Sequence, residues 1–173
     1  MNEVIKTIKE RRSIRTFKND QISDAQLDAI LEAGEYAASG MGCQATKLVA
    51  VQDPEVIALM SGLNAQVMGM DIDPFYGAPT VVIVFADPAE TFTPVEDGSL
   101  VIGNMMLAAF SEGVDSCWVH RAKEVFETDM GKDLKEKWGV GESYVGVGNC
   151  ILGYREGDLP EAAERKPGRI IKA

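Results

Sequence analysis

Four cationic side chains, Arg11, Arg12, Arg15 and Lys18, fall within eight residues of a chain whose formal net charge is -10. A guanidinium presents parallel N–H donors that match two phosphate oxygens. The run Arg11-Arg12-Ser13-Ile14-Arg15, with the Ser13 hydroxyl as a further donor, therefore has the chemistry of an anion site. The same residues also suit a solvated helix C-terminus, where cations meet the negative end of the macrodipole, and spacing alone leaves both readings open. Ala38-Ser39-Gly40-Met41-Gly42-Cys43-Gln44 follows a helical pattern. Its glycines either let backbone approach a planar ligand closely or form a helix cap and turn. Gly146-Val147-Gly148 lacks the third glycine and the following helix of a dinucleotide fingerprint. It is read as a strand whose glycines make room for a close neighbour. Around Ser116–Arg121, Trp118 reads as core, Cys117 as a buried thiol and His120 as a surface or capping residue. A nucleophilic pair of His120 with Cys43 or Cys117 has no identifiable orienting group.

Composition narrows the classes. At 173 residues, with 46% hydrophobic and 25% charged side chains, one domain spanning residues 1–173 with a sizeable core is expected. The acidic balance argues against nucleic acid and against an anionic membrane surface as partners. Neither TVVIVFA nor NCILGY is long enough to span a bilayer, and MNEVIKTIKERRS does not read as a signal peptide. A cytoplasmic protein is expected. Cys43, Cys117 and Cys150 are odd in number and form no CxxC pair, and His120 is the single histidine. A disulfide framework, a metal site and a Ser-His-Asp triad are all disfavoured.

The elements that must position these residues follow from periodicity. Residues 3–10 are predicted helical, with Val4, Ile5 and Ile8 on one face. Ser23 and Gln26 have capping-box spacing before a helix running through Ala37. Strands are predicted at Lys47–Gln52, Thr80–Phe85, Ser116–Val119 and Tyr144–Tyr154. Helices are predicted from Pro54 to about Gly62, over Glu96–Glu112 and, as one amphipathic element, over 123–138. The segment 63–79 is expected to be irregular and, inside a compact domain, functional. Helices between strands without strict alternation indicate an α+β sheet covered by helices.

Taken in order along nearly the whole chain, IKERRSIRTF, ASGMGCQ, LNAQV, FYGAPTVVIVFAD, DGSLVIGNMMLAAFSEGVDSCWV and KPGRI resemble the FMN-dependent nitroreductase family, in a compact form. The resemblance implies an α+β fold with a mixed β-sheet flanked by helices, and a homodimer with FMN at the subunit interface. It implies that Arg11 and Ser13 contact the FMN phosphate or ribityl chain, and that Arg12 has a backbone or phosphate role. Arg15 would lie at the pyrimidine edge of the flavin, where a fixed cation stabilises reduced flavin. Ser39, Gly40 and Gly42 would reach the FMN of the partner chain, and Asn64 would hydrogen-bond the ring edge. Trp118, Val119 and His120 would line the ring with main-chain N–H near N5, and Arg169 with Lys166 would close on the phosphate. Gly42 stands where the family usually has Asn, Thr46 where it has an aromatic, and Ala38 where it has Pro, changes that bear on substrate choice.

The activity implied is electron transfer from NADH or NADPH through flavin N5 to a small oxidant (a nitroaromatic, a quinone or a free flavin) by a ping-pong mechanism. No catalytic side chain is then required, because the cofactor carries the chemistry. Two alternatives remain: other flavin chemistry on the same scaffold, such as reductive dehalogenation or dehydrogenation, and a non-catalytic FMN carrier or sensor.

Overall fold

Seven consecutive residues, Thr80–Ala86, are buried without alternation, and this one strand organises the molecule. Such a run needs apolar cover on both faces. In a computed structural model, which describes residues 1–172, that cover comes from helices on each side. The strands are β1 (Thr46–Val51), β2 (Thr80–Ala86), β3 (Asp115–Val119) and β4 (Val145–Gly153). They form one sheet in the order β1-β2-β4-β3. All three strand pairings are antiparallel; the parallel component of this sheet is a single bridge between Ser13 and Ser116.

The helices are α1 (Glu3–Glu10), α2 (Asp24–Glu35), α3 (Pro54–Met68), α4 (Pro94–Ser111), α5 (Ala122–Glu127) and α6 (Asp129–Lys137). Val81, Ile83, Phe85, Cys117 and Ile151 face one core, shared with Met60 and Leu63 of α3 and with Val125, Phe126 and Leu134 of α5 and α6. Val82, Val84, Cys150 and Leu152 face the other, shared with Ile30 of α2 and with Val101, Ile102 and Met105 of α4. The alternation along β2 thus sorts its side chains between two layers. Between Val84 and Phe85 the register to β4 slips. Val147 is the extra residue, and its side chain occupies the space a Cβ on Gly98 would need.

Start signals behave as the sequence predicts. Ser23 and Gln26 close a reciprocal capping box on α2, and Asp53 caps α3 with Pro54 in its first turn. Two elements differ by more than a residue or two. α3 continues past Gly62 to Met68 and stops at Gly69, whose φ of 66° ends the helix; a glycine inside a helix weakens it without breaking it. The predicted helix 123–138 is two helices, broken at Thr128. There the hydroxyl donates to Val125 O at 2.6 Å and accepts from Gly131 N at 3.1 Å. A threonine that satisfies its own backbone competes with helix continuation, and periodicity misses this because the spacing of Phe126 and Leu134 carries across the break.

α1 has no buried residue. Val4, Ile5 and Ile8 are about half exposed or more (63%, 48% and 52%), so its apolar stripe is left largely uncovered by the described residues. Among the described residues no helix is long and apolar enough to cross a membrane.

Candidate functional site

The basic segment leaves α1 and runs along the outer edge of β3. Ile14 N donates to Ser116 O at 3.0 Å, and the buried side chains of Ile14 and Phe17 pin the segment to the core. Ser13, just before the first anchor, is half-buried, and Arg15, between the two, is exposed. Arg12 folds back, its Nη1 donating to the carbonyls of Lys9 and Arg11 at 2.8 Å each. These are the orphan acceptors at the end of α1, so Arg12 takes the backbone role and steadies the segment. Both guanidinium groups keep a buried nitrogen without a hydrogen-bond partner among the described residues, Nε of Arg12 and Nη1 of Arg11, but Arg11 donates to no carbonyl of the segment. A buried guanidinium nitrogen without an acceptor is costly and calls for an anion.

Arg15 lines a cavity of about 300 Å³ together with Met68, Pro74, Tyr76 and the strand-end residues Cys117 to Arg121. Burial pushes the Cys117 thiol up, against the opposing influence of Arg15, the Ser13 hydroxyl and Arg11. One sulfur thus senses all three residues, which places them together. It also holds the thiol protonated at neutral pH, and its hydrogen bond goes to Trp118 O at 3.5 Å. Cys117 is therefore no activated nucleophile, and the Cys–His pairing has no support here. Cys150 is fully buried, its thiol pushed up to about 12 by burial.

α3 reaches this cavity with Met68, and Asn64, one helical turn earlier on the same face, lies behind the wall. Asn64 is fully buried. Its Nδ2 donates to His120 O at 3.0 Å, while its Oδ1 has no partner among the described residues. The cavity residues that sequence reasoning did not name as site residues are Met68, Pro74, Tyr76 and Arg121, the first three of which fall in the segment 63–79 expected to be functional. The signal for Pro74 and Tyr76 was present in Asp73: its carboxylate accepts from Ser61 Oγ at 2.6 Å, Phe75 N at 2.9 Å and Gly77 N at 2.7 Å, and that turn presents both side chains. Val119 is buried, His120 is exposed, and Trp118 packs toward the α2/α4 layer, leaving mainly its main chain for the cavity. A larger concavity of about 740 Å³ lies by Asn19, Gln21, Gln52 and the first half of α3. No arginine or lysine lines it, and its single carboxylate, Asp73, is committed to the turn.

Ser39, Gly40 and Gly42 lie elsewhere. Gly40–Gly42 form a short 3-10 turn before β1, and β1 is the opposite edge strand from β3. Three strand steps, roughly 14 Å, separate the two edges, so one chain does not bring this turn to its own Arg11 cluster. Gly40 N donates to Asp97 Oδ1 at 2.9 Å, and Thr91 and Thr93 donate their hydroxyls to the same carboxylate at 2.8 and 3.0 Å. Burial opposes ionisation of Asp97, but these donors outweigh it and hold the carboxyl below its ordinary range. Lys166 and Arg169 are exposed in a tail without regular structure, and neither lines the cavity.

The Asp97 latch gives an acid-side expectation. A carboxyl depressed on folding contributes stability that is present above its unfolded value near 3.9 and is lost as pH falls through the lower folded value. Asp97→Ala leaves three donors without their acceptor and is expected to lower stability by about 1–3 kcal/mol at neutral pH. Urea unfolding at stepped pH should show the difference from wild type shrinking below about pH 4. A difference that stayed constant down to strong acid would mean that the charge is irrelevant to the latch.

Comparisons with known proteins agree with this geometry. The model of the nitroreductase family matches residues 8–74 and 70–154. A crystal structure of a nitroreductase with bound FMN from Bacteroides fragilis superposes with a TM-score of 0.92 at 33% identity, covering 100% of both chains. A protein of Archaeoglobus fulgidus, provisionally named an NADH dehydrogenase/NAD(P)H nitroreductase, is 34% identical over 179 residues, which is 98% of this chain and 97% of that one. The NADPH-flavin oxidoreductase of Vibrio harveyi is 28% identical over 181 residues, covering 99% of this chain and 73% of its own length. With the family model covering most of the sequence and the fold shared end to end, this chain belongs to the nitroreductase family.

Proposed function

We propose that this protein binds FMN in the cavity beside β3 and passes electrons from NADH or NADPH to a small oxidant such as a nitroaromatic, a quinone or a free flavin. The observation that carries the reading is the buried, unpartnered Nη1 of Arg11, set beside Ser13 and a cavity that Arg15 lines. The residues fit the cofactor: a cation and a hydroxyl for a phosphate, and a concavity bounded by Met68, Tyr76 and Val119 for a flat ring. The relative from Bacteroides fragilis, which carries FMN on the same fold, supports the choice of flavin.

Bound FMN would supply the redox centre that links a two-electron donor to the oxidant. Arg11 and Ser13 hold the phosphate end, and Arg12 keeps them in place from the end of α1. Arg15 offers a fixed positive charge, which favours negative charge nearby without the cost of reorganising water. Asn64 holds the His120 carbonyl and so orders the wall of the site. The Cys117 thiol, neutral and buried, and the apolar side chains around it keep that wall dry. No acid–base pair is needed.

The site is completed by a second copy of the chain. The uncovered stripe of α1 and the exposed Val95 and Leu100 of α4 are the apolar surface for it. The turn at Ser39, Gly40 and Gly42 then reaches the partner's FMN, and Lys166 and Arg169 close on a phosphate. The reading places the protein in the cytoplasm, in keeping with its three free cysteines.

Purified protein is expected to be yellow and to release FMN on denaturation. Without oxygen, NADH or NADPH should bleach the flavin band within the mixing time of a turnover experiment. Protein that binds no flavin even with excess FMN overturns the reading. Bound flavin that neither nicotinamide bleaches would instead indicate a carrier or sensor.

A further inference from the structure

Gly146-Val147-Gly148 is not part of a nucleotide fingerprint, yet the structure gives these residues and Asn149 a common task. A Cβ on Gly146 would stand 2.6 Å from the main chain of Ala122, and one on Gly148 would stand 2.6 Å from Nε1 of Trp118. Asn149, the register partner of Val119, is 2% exposed, and its Nδ2 donates to Val119 O at 3.3 Å. From the other side Asn64 of α3 donates to the next carbonyl, that of His120. Two buried carboxamides from different elements thus hold consecutive carbonyls of the segment that walls the cavity.

In a trans peptide the carbonyl and the following N–H point in opposite directions. Fixing the carbonyls of Val119 and His120 toward the buried amides therefore turns the N–H groups of His120 and Arg121 the other way. Neither N–H donates a main-chain hydrogen bond among the described residues, and both residues line the cavity. We propose that residues 146–149 of β4 form a seat for the 118–122 segment, and that Asn149 is a positioning residue that aims the N–H of His120 into the flavin cavity, as Asn64 fixes the following peptide from α3. The part of this that concerns flavin rests on the FMN reading above. A fixed donor in the cavity wall favours negative charge beside it, so the clamp acts on the relative stability of reduced and oxidised flavin more than on the phosphate end.

The test compares wild type with Asn149→Leu, which keeps the side-chain size and removes the donor, and with Asn149→Ser, a milder loss that carries the comparison if the leucine variant does not fold. Amide order parameters of residues 119–121 are measured first on flavin-free protein. They are expected to fall from the rigid range near 0.85 toward values below about 0.6. The midpoint potential of bound FMN is then measured. It is expected to move down by about 30 mV, a tenfold change in relative affinity for the two redox states of a two-electron couple, while oxidised FMN binds nearly as in wild type. A folded variant with wild-type order parameters and an unmoved potential overturns the clamp. A wild-type protein that binds no FMN would fail the functional reading instead, and the order parameters alone would then decide the clamp, unchanged values overturning it.

Discussion

Arg11→Ala is expected to weaken FMN binding ten- to hundredfold, whereas His120→Ala leaves FMN binding and most NAD(P)H oxidation in place. A hydrogen bond to a charged group is worth about 1.5–3 kcal/mol, which corresponds to that range in Kd. Arg11 is half-buried with an idle nitrogen, so its removal deletes the acceptor's best partner without breaking an internal bond. The His120 imidazole is exposed, and the contact His120 makes inside the protein runs through its carbonyl to Asn64, which alanine retains. Fluorescence titration of stripped protein with FMN, alongside NADH and NADPH oxidation rates, measures both variants. Abolished turnover in His120→Ala together with undiminished binding in Arg11→Ala would reverse the two assignments.

Gly103→Trp is expected to split the proposed dimer and release flavin, although it touches no proposed phosphate contact. The small residues of α4 serve two ends. Gly98 and Ala109 are buried against their own core, Gly98 because Val147 leaves no room for a side chain. Gly103 faces open space, with nothing within 4 Å of the position its Cβ would take. A side chain can leave the helix there without meeting its own chain at Cβ, so the bulk of a tryptophan falls on the surface proposed for the second copy. Overpacking an interface costs about 1–3 kcal/mol, and a ligand shared between chains loses affinity as the dimer dissociates. Apparent FMN affinity should fall by about tenfold or more, recovering at high protein concentration. Sedimentation and flavin fluorescence on one sample decide it. A folded monomer that holds FMN at wild-type affinity would refute the shared site.

The legible parts of this protein were those set by local chemistry. TVVIVFA announces a strand buried on both faces, and Ser23 with Gln26 announces a helix start, because both signals act within a few residues. The basic run was legible as a candidate anion site, but not the division of labour inside it. Arg12 serves carbonyls and Arg11 does not, and that depends on where α1 ends. Gly62 and Thr128 misled for opposite reasons: glycine in α3 is outweighed by the contacts around it, and threonine after α5 overrides a stripe that looked continuous. Asn149 gave no signal at all, since one polar residue in an apolar strand reads as an exception until its neighbour across the sheet is known. The separation of Ser39–Gly42 from Arg11 follows from strand order, which pattern alone does not fix.

α1 is eight residues long and buries none of them. A helix that short is marginal in water by itself, so in a lone chain it would fray, and Arg11, which follows directly on its last turn, would lose its fixed direction. If a second copy supplies the missing cover, as proposed, chains emerging from synthesis would meet one another before they could hold a cofactor. Loading would be second order in chain concentration: a cell making twice as much of the polypeptide would gain close to four times the initial rate of charged protein, and one making very little would accumulate an empty, protease-sensitive precursor.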